Sequence, residues 1–327
     1  MAEYINIRGQ NIEVVASDPA NPTLGQIWYN STSNTLKGGG VTTAGTWATG
    51  NTMNTSSGHV AAAGTQTATL AFGGGLYNAT QGTTESYDGS SWTNLPATLN
   101  LPRRLGGGTG TTTAALIFGG APGNQNNTNA TESYNGSTWT SVNTLNTARN
   151  TPSNAGTQTS ALAFGGGDPV KADTESWNGT SWTSVNALNN ARANLGGCGT
   201  QTAALAFGGN PGTNPQAATE SWNGTSWTAV NSLNTAREGL KGCGIQSAAL
   251  AFGGYIVGPN AATGATELWD GTSWTSSPTS MSTARYSLGG TGSQTAGLAI
   301  AGSPSPTGIT EEFTGPGVPQ TKTVTVS

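Results

Sequence analysis

Few side chains in this sequence could carry acid–base, nucleophilic or metal chemistry. The chain has one histidine, His59, and two cysteines, Cys198 and Cys243, among its 327 residues. His59 has no neighbouring Ser or Cys motif, and one histidine with two cysteines cannot complete a Cys₄ or Cys₂His₂ zinc site. We therefore expect His59 to have a packing or solvent-facing role and the cysteines to be small packing residues on adjacent strands. No metal or other cofactor is expected.

Charged side chains recur instead at regular intervals along the chain. A Thr-Glu motif occurs six times, and an arginine recurs five times between the motifs. The glutamates are Glu85, Glu132, Glu175, Glu220, Glu267 and Glu311, and the arginines are Arg104, Arg149, Arg192, Arg237 and Arg285. The sixth arginine position, near Thr55, has no arginine, and Arg8 and Arg103 lie outside the series. Repeated packing needs symmetric copies and a single active site does not, so we expect Arg–Glu pairs rather than catalytic carboxylates.

Tryptophans mark the same repeat, at spacings of 43 to 47 residues. They are Trp47, Trp92, Trp139, Trp182, Trp227 and Trp274. Each unit is predicted to contain four short strands; in one unit these are 192–199, 202–207, 219–222 and 226–230. Asn223-Gly224 supplies a two-residue turn between the last two strands. Four strands in this length are typical of a β-propeller blade.

The order of the units predicts how such a propeller closes. The first Trp strand, at 45–49, precedes any complete unit, and the last unit, 285–314, ends at its third strand. We predict that Trp47 completes the last blade. The result is an all-β, six-bladed propeller over about residues 41–314, closed by an N-terminal strand that removes a free edge.

The order of motifs within each unit resembles the kelch repeat. Phe207-Gly208-Gly209 is followed by Glu220-Ser221-Trp222, and then by Trp227 and Arg237. The resemblance covers residues 41–314 and implies a kelch-like propeller. The sequence departs from the kelch pattern in its many Thr, Asn and Gly residues and in long Asn-rich connections such as 121–129. Propellers serve as enzymes, binding proteins and scaffolds, so the fold does not give the function.

The N-terminal segment, residues 1–40, differs from the repeats. It is predicted to form a small β-hairpin from 26–29, a turn at 30–34 and a strand at 35–37. It resembles a short module of bacteriophage tail fibres and other virion proteins, and with the repeats it looks like proteins of marine phages. The matching residues are Asn21, Pro22, Gly25, Trp28, Tyr29, Asn30, Thr32, Leu36 and Lys37. The resemblance implies virion docking through Trp28, Tyr29, Asn30 and Leu36.

The C-terminal residues, 315–327, combine a Pro/Gly hinge with alternating Thr and Val. Two alternatives are open for this tail. It frays, or it forms a strand that adds to the sheet of a partner.

Variable loops on a rigid scaffold are the best positions for recognition. The candidate binding residues in these loops are Tyr77, Asn78, Asn124, Asn126, Asn214 and Tyr255. Their amide groups and aromatic rings could bind glycans.

We expect a non-enzymatic phage virion structural protein, such as a tail fibre, appendage or capsid knob. It would display the propeller for attachment to a host surface or brace the particle. The alternative is a free lectin-like glycan-binding module. A hydrolase or oxidase is disfavoured by the scarcity of His, Cys and carboxylates outside the repeat.

The expected partners are other virion proteins, through residues 1–40, and a host surface glycan. A net charge of −4 argues against nucleic acid as a partner. No apolar run is long enough for membrane insertion, and the N-terminus does not resemble a signal peptide. The resemblance to virion proteins implies a location in the virion, after synthesis in the host cytoplasm.

Overall fold

A computed structural model describes residues 12–19, 26–41, 44–76, 79–123, 127–258, 262–304, 307–317 and 319–323. These residues form β-strands joined by turns and loops, and no helix occurs among them. The same residues accordingly include no long apolar helix that could cross a membrane. The chain divides into two compact units: unit 1 is Met1–Thr46 with Gly315–Ser327, and unit 2 is Trp47–Thr314.

Unit 2 is built from repeated four-stranded sheets. Sheet 1 contains β5 (Ala61–Thr65), β6 (Ala68–Phe72), β9 (Thr84–Tyr87) and β10 (Trp92–Leu95), and β7 (Gly75–Leu76) pairs with β8 (Ala79–Thr80) beside it. Sheet 2 contains β11 (Gly107–Gly110), β12 (Ala115–Phe118), β13 (Thr131–Tyr134) and β14 (Trp139–Val142). Sheet 3 contains β15 (Ser153–Gly156), β16 (Ala161–Phe164), β17 (Thr174–Trp177) and β18 (Trp182–Val185).

Three further sheets follow in chain order. Sheet 4 contains β19 (Gly196–Gly199), β20 (Ala204–Phe207), β21 (Thr219–Trp222) and β22 (Trp227–Val230). Sheet 5 contains β23 (Lys241–Ile245), β24 (Ala248–Phe252), β25 (Thr266–Trp269) and β26 (Trp274–Ser276). Sheet 6 contains β27 (Gly289–Gly292), β28 (Ala296–Ile300) and β29 (Thr310–Thr314), and its fourth strand is β4 (Thr46–Gly50).

Local sequence explains the shape of each sheet. The last four residues of each second strand are buried, and in β20 all four are apolar. The turn before the fourth strand is held by Asn223, whose Oδ1 accepts the N–H groups of Thr225 and Ser226 at 2.9 Å. The first strand, predicted from residue 192, begins only at Gly196. Asn194 is left-handed, with φ of 54°, and this ends the extended backbone before the strand.

Aromatic side chains connect neighbouring sheets. Each tryptophan at the start of a fourth strand, and Trp47 within β4, donates its Nε1–H to a threonine Oγ1 on the third strand of the neighbouring sheet. The pairs are Trp47–Thr266, Trp92–Thr310, Trp139–Thr84, Trp182–Thr131, Trp227–Thr174 and Trp274–Thr219, at 2.9 to 3.1 Å. Five of these indoles also contact a phenylalanine of the neighbouring second strand, with ring centroids 4.9 to 5.3 Å apart. The core therefore lies between the sheets.

The architecture of the described residues confirms the predicted all-β class. Repeated four-stranded antiparallel sheets that pack face to face through aromatic residues are consistent with a β-propeller.

Unit 1 contains one further sheet. Its strands are β1 (Glu13–Val15), β2 (Ile27–Asn30), β3 (Thr35–Val41) and β30 (Pro319–Thr323), in the order β1-β2-β3-β30. β2 and β3 form the predicted hairpin, and β1 lies parallel to β2. β30 pairs antiparallel with β3. The C-terminal strand thus adds to a sheet of its own chain. This differs from both alternatives for the tail, which were a frayed end and a strand in the sheet of a partner.

Candidate ligand site at the central cavity

The repeated glutamates are buried and engaged in several hydrogen bonds. In sheet 4, Glu220 Oε2 accepts the backbone N–H and the side-chain amide of Asn189, both at 2.7 Å. Glu220 Oε1 accepts from Arg192 Nη2 at 2.8 Å, and Arg192 Nη1 donates to the carbonyls of Gly208 and Ala218. Burial lowers the pKa of Arg192, and the charge of Glu220 opposes that shift. This cluster fastens the loop before the first strand to the third strand.

The same ion pair occurs in five sheets, with one correction to the sequence assignment. The pairs are Arg103–Glu132, Arg149–Glu175, Arg192–Glu220, Arg237–Glu267 and Arg285–Glu311, with N–O distances of 2.6 to 3.0 Å. The spacing of the repeat predicts Arg104 in this series, but Arg103 makes the pair. The two arginines are adjacent and the unit length varies by several residues, so spacing alone did not separate them. Arg104 has no part in the repeated ion pair.

Sheet 1 has a serine where the other sheets have this arginine. Gly302 donates its backbone N–H to Ser57 O, as Gly209 does to Arg237 O, and this places Ser57 at the arginine position, which the sequence predicts near Thr55. Glu85 accepts the N–H of Asn54 at 2.8 Å and of Thr55 at 2.9 Å. Among the described residues Glu85 makes no ion pair. Hydrogen bonds alone hold this carboxylate.

Two residues after each arginine position, the backbone becomes left-handed. The six residues are His59, Leu105, Thr151, Asn194, Gly239 and Ser287, with φ between 48° and 63°. Backbone hydrogen bonds link them, for example from His59 N to Ser287 O at 2.9 Å. All six line a small cavity of about 40 Å³, and we call them the left-handed ring. This conformation is strained for the β-branched Thr151, so the surrounding bonds must hold it.

A cavity of about 440 Å³ lies beside the left-handed ring, and its wall does not follow the repeat. The residue that follows each arginine position bridges to the chain after the second strand. These equivalent residues are Gly58, Arg104, Asn150, Ala193, Glu238 and Tyr286, six different types in six sheets. Four of them line the cavity, together with His59 and Asn194. Different polar groups thus converge on one concave surface, which is the usual form of a ligand site.

Two cationic side chains, Arg104 and Lys241, lie near His59 in this region. Burial and the charges of Arg104 and Lys241 lower the pKa of His59 to about 4. Lys241 lines the smaller cavity, and burial lowers its pKa as well. Two acids, Glu238 and Asp168, line the larger cavity. Asn194 Nδ2 donates to Glu238 Oε2 at 3.3 Å.

The loop residues expected to bind a ligand have different outcomes. Tyr77, Asn78, Asn124 and Asn126 lie outside the described residues. Asn214 is exposed on the loop that follows Asn210. Tyr255 is half-buried, stands edge-on to Tyr286 at 5.5 Å between ring centroids, and lines a cavity of about 330 Å³ with Glu238 and Asn194. Of the two predicted loop residues that the structure describes, Tyr255 therefore lines a cavity that shares Asn194 and Glu238 with the 440 Å³ cavity.

Several residues of the site were missed from the sequence. Arg104 was assigned to the repeat and His59 to packing, and Lys241, Glu238 and Asn194 were not singled out. A signal was present in the sequence. When the units are aligned on Arg103 and its equivalents, the next two positions differ in every unit, whereas the preceding position is alanine in four of the six.

The other end of the inner strands has a different chemistry. Gly, Ala, Thr and Cys residues and Asn154 line a cavity of about 130 Å³ there. Cys198 and Cys243 are free and buried, on the neighbouring strands β19 and β23. Burial raises the pKa of Cys198 to about 12, and it raises that of Cys243 as well. Within the described ranges, no cluster of three or more metal-binding side chains occurs.

The proposed docking residues of unit 1 lie on two sides of its sheet. Trp28 is fully buried and donates its Nε1–H to Asp18 at 3.1 Å; Asn30 is buried and donates to the same carboxylate at 2.7 Å. These hydrogen bonds lower the pKa of Asp18. Tyr29 and Leu36 are half-buried and lie opposite each other in the β2–β3 register. Trp28 and Asn30 therefore stabilise the hairpin, and Tyr29 and Leu36 are the ones with exposed surface.

No protein-family model matches this chain, and no curated protein is found to match it.

Proposed function

We propose that this chain is a non-enzymatic binding protein of a bacteriophage particle. In this proposal unit 2 is a six-bladed, kelch-like β-propeller closed by β4, and it presents a ligand site at the central cavity. Unit 1 attaches the propeller to the particle. The phage assignment rests on the resemblance of the N-terminal module, and the binding role rests on the cavity.

The Trp–Thr hydrogen bonds support closure into six blades. Trp139 of sheet 2 donates to sheet 1, and the same step recurs up to Trp274 of sheet 5. Trp47 of sheet 6 then donates to sheet 5, and Trp92 of sheet 1 donates to Thr310 of sheet 6. The series returns to its starting sheet after six steps. The first strands follow the same order, since β27 lies beside β5.

The proposed binding role rests on one observation: the residues that line the 440 Å³ cavity differ from sheet to sheet instead of repeating. The repeated Glu, Arg and Trp side chains have structural contacts in sheet after sheet. The polar groups left over, including Asn150, Asn194 and Tyr255, face the central cavities. Amide groups and aromatic rings are suited to hydroxyl groups and sugar faces. A glycan is therefore the ligand class that we favour.

Docking of unit 1 would use the exposed row of its sheet. Val14 pairs with Tyr29, and Tyr29 pairs with Leu36, so the three side chains lie across one face. Val14 is 66% exposed. An apolar row of this kind fits contact with another protein. A free lectin-like module remains the second candidate, since the cavity would serve it equally well.

Two measurements test the proposal. The first exposes the full-length protein to a glycan array and then analyses the array for cleaved products. We expect binding without turnover, weakened by Asn194→Ala and unchanged by Thr113→Ala at the turn between β11 and β12. Product formation would refute the non-enzymatic role. The absence of any bound glycan would refute glycan binding.

The second measurement uses a gold-labelled antibody against unit 2 on phage particles purified from the lysate in which the chain is made. Labelling of the tail or capsid would support a virion protein and give its position. Protein found free in the lysate, with unlabelled particles, would favour the lectin-like module.

A further inference from the structure

Three basic side chains come together beside the left-handed ring. Arg104 and Lys241 both lie close enough to His59 to disfavour its protonation. Arg104 is 8% exposed and lines the 440 Å³ cavity, and its buried Nε, like those of Arg103, Arg192 and Arg237, has no hydrogen-bond partner. Lys241 begins β23 at the position where β11, β19 and β27 begin with glycine, and it lines the adjoining 40 Å³ cavity. Burying cationic groups without a counter-charge is costly.

The other buried arginines provide the comparison. Arg103, Arg149, Arg192, Arg237 and Arg285 each lie within 3.0 Å of a glutamate oxygen. In the described part of the chain, Arg104 and Lys241 make no ion pair. Among the described residues, every buried arginine except Arg104 thus contacts a carboxylate.

The two acids on the cavity wall, Glu238 and Asp168, do not supply Arg104 with a carboxylate partner. Glu238 accepts a hydrogen bond from Asn194, and Asp168 is exposed. Neither is within ion-pair distance of Arg104. Neither acid is among the groups that shift the pKa of His59. The cavity therefore has a basic side, at His59 and Arg104, and a separate side that carries amides and acids.

We propose that the 440 Å³ cavity binds an acidic saccharide, with the carboxylate of the sugar held by Arg104 and His59 near the charge of Lys241. This inference rests on the proposed function and names its ligand class. A guanidinium matches a carboxylate with two parallel hydrogen bonds, and it is weakly hydrated, so it suits a partly buried pair. Asn150 and Asn194 lie on the same wall and provide partners for the hydroxyl groups of the sugar.

The single histidine makes this site directly observable. His59 is the one histidine in 327 residues, so ¹³C-histidine labelling of the full-length protein gives one imidazole signal by NMR. The probes are methyl β-glucuronide, its neutral counterpart methyl β-glucoside, and acetate. The measurement is the pH titration of the His59 signal from pH 3 to 8 with and without each probe.

We expect the glucuronide to bind saturably and to raise the pKa of His59 from about 4 by roughly one unit, because a nearby anion stabilises imidazolium. The glucoside should leave this pKa unchanged. In Arg104→Met, the pKa without probe should rise because a repelling cation is gone, and the glucuronide should cause no further rise. Lys37→Met, which removes one positive charge from unit 1, should behave like the wild type.

Several results would overturn the inference. An unchanged His59 pKa in the presence of glucuronide would do so, as would equal glucuronide binding by Arg104→Met. Acetate that binds as tightly as the glucuronide would overturn the saccharide part. Neutral glycans that bind wild type and Arg104→Met equally, without any glucuronide effect, would leave the proposed function standing and remove this inference. No glycan binding at all would remove both.

Discussion

The buried Arg–Glu pair offers a sharp test, because sheet 1 provides a natural control. In sheet 4, Glu220 accepts from Arg192 Nη2 at 2.8 Å and from two nitrogens of Asn189. In sheet 1, Glu85 has the corresponding hydrogen bonds from Asn54 but no arginine, because Ser57 stands at that position. Substitution of each glutamate by glutamine therefore separates the ion pair from the hydrogen bonds.

The two variants should lose different amounts of free energy of unfolding. Glu220→Gln leaves the guanidinium of Arg192 buried without its counter-charge, which should lower the free energy of unfolding by about 3–5 kcal/mol. Glu85→Gln leaves no cation unpaired. Its amide group meets a backbone N–H, so it should cost about 1–3 kcal/mol, the range for a buried group that loses its hydrogen-bond partner. The expected difference is therefore about 2 kcal/mol.

Urea unfolding followed by tryptophan fluorescence measures both values on the full-length protein, and thermal unfolding provides a second readout. For a unit of this size, 2 kcal/mol corresponds to a difference in Tm of roughly 4–8 °C. An unchanged m-value is required, because a changed m-value would mean that the unfolding transition itself had altered.

A double variant serves as the control. Glu220→Gln combined with Arg192→Met removes both charges, so it should cost less than the sum of the two single variants. Equal costs for Glu85→Gln and Glu220→Gln, or strictly additive costs in the double variant, would refute the conclusion that the ion pair stabilises the blade.

Three further predictions concern the inner strands and the left-handed ring. The pKa of His59 is about 4 in the folded protein and 6.5 in an unperturbed histidine, so the unfolded state binds the proton more readily. The free energy of unfolding should therefore fall by about 3 kcal/mol as the pH drops from 6.5 to 4. Urea unfolding of His59→Asn should show a pH dependence that is smaller by this amount. Thr151→Gly should leave stability unchanged or raise it by up to about 1 kcal/mol, since glycine adopts a φ of 48° without strain; a loss would mean that the side chain matters more than the backbone. Cys198 should resist alkylation at pH 8 in the native state because its pKa is about 12. The free energy of unfolding of Cys198→Thr should lie within about 1 kcal/mol of the wild-type value.

The repeated contacts explain which parts of the fold the sequence could predict. Trp227 packs on Phe164 and donates to Thr174, and each equivalent tryptophan has an equivalent hydrogen-bond acceptor. A residue required by the same contact in every sheet appears at every repeat, so pattern alone reveals it. The third strand, predicted at 219–222, is β21 without change.

The errors arose where the backbone departs from extended structure. Arg103 and Arg104 differ by one position, and only the left-handed residue that follows them, Leu105, fixes the register. A positive φ at leucine has no signature in the sequence, because its own side chain disfavours that conformation. The first strand was predicted four residues too early for the same reason, since Asn194 interrupts it.

The candidate site could not be predicted from motifs because it contains none. Its residues are equivalent positions on different sheets, 228 residues apart between His59 and Ser287, and they meet only when the sheets assemble. Tyr255 is a sequence candidate because it lies in a variable connection, whereas Arg104 is predicted to belong to the repeat and His59 to have a packing or solvent-facing role.

A contrast between the two ends of the inner strands supports the proposed ligand site. At the far end, the six equivalent residues are all glycine, with φ between 104° and 119°: Gly64, Gly110, Gly156, Gly199, Gly244 and Gly292. Backbone geometry imposes the same requirement there on every sheet. At the cavity, the backbone imposes an equally uniform left-handed turn, which glycine or asparagine would satisfy best. The chain instead places His59, Leu105, Thr151 and Ser287 at four of those six positions. Strained positions that carry different side chains, beside the buried Arg104 that makes no ion pair, fit the proposed ligand, because a single ligand presents a different group to each sheet.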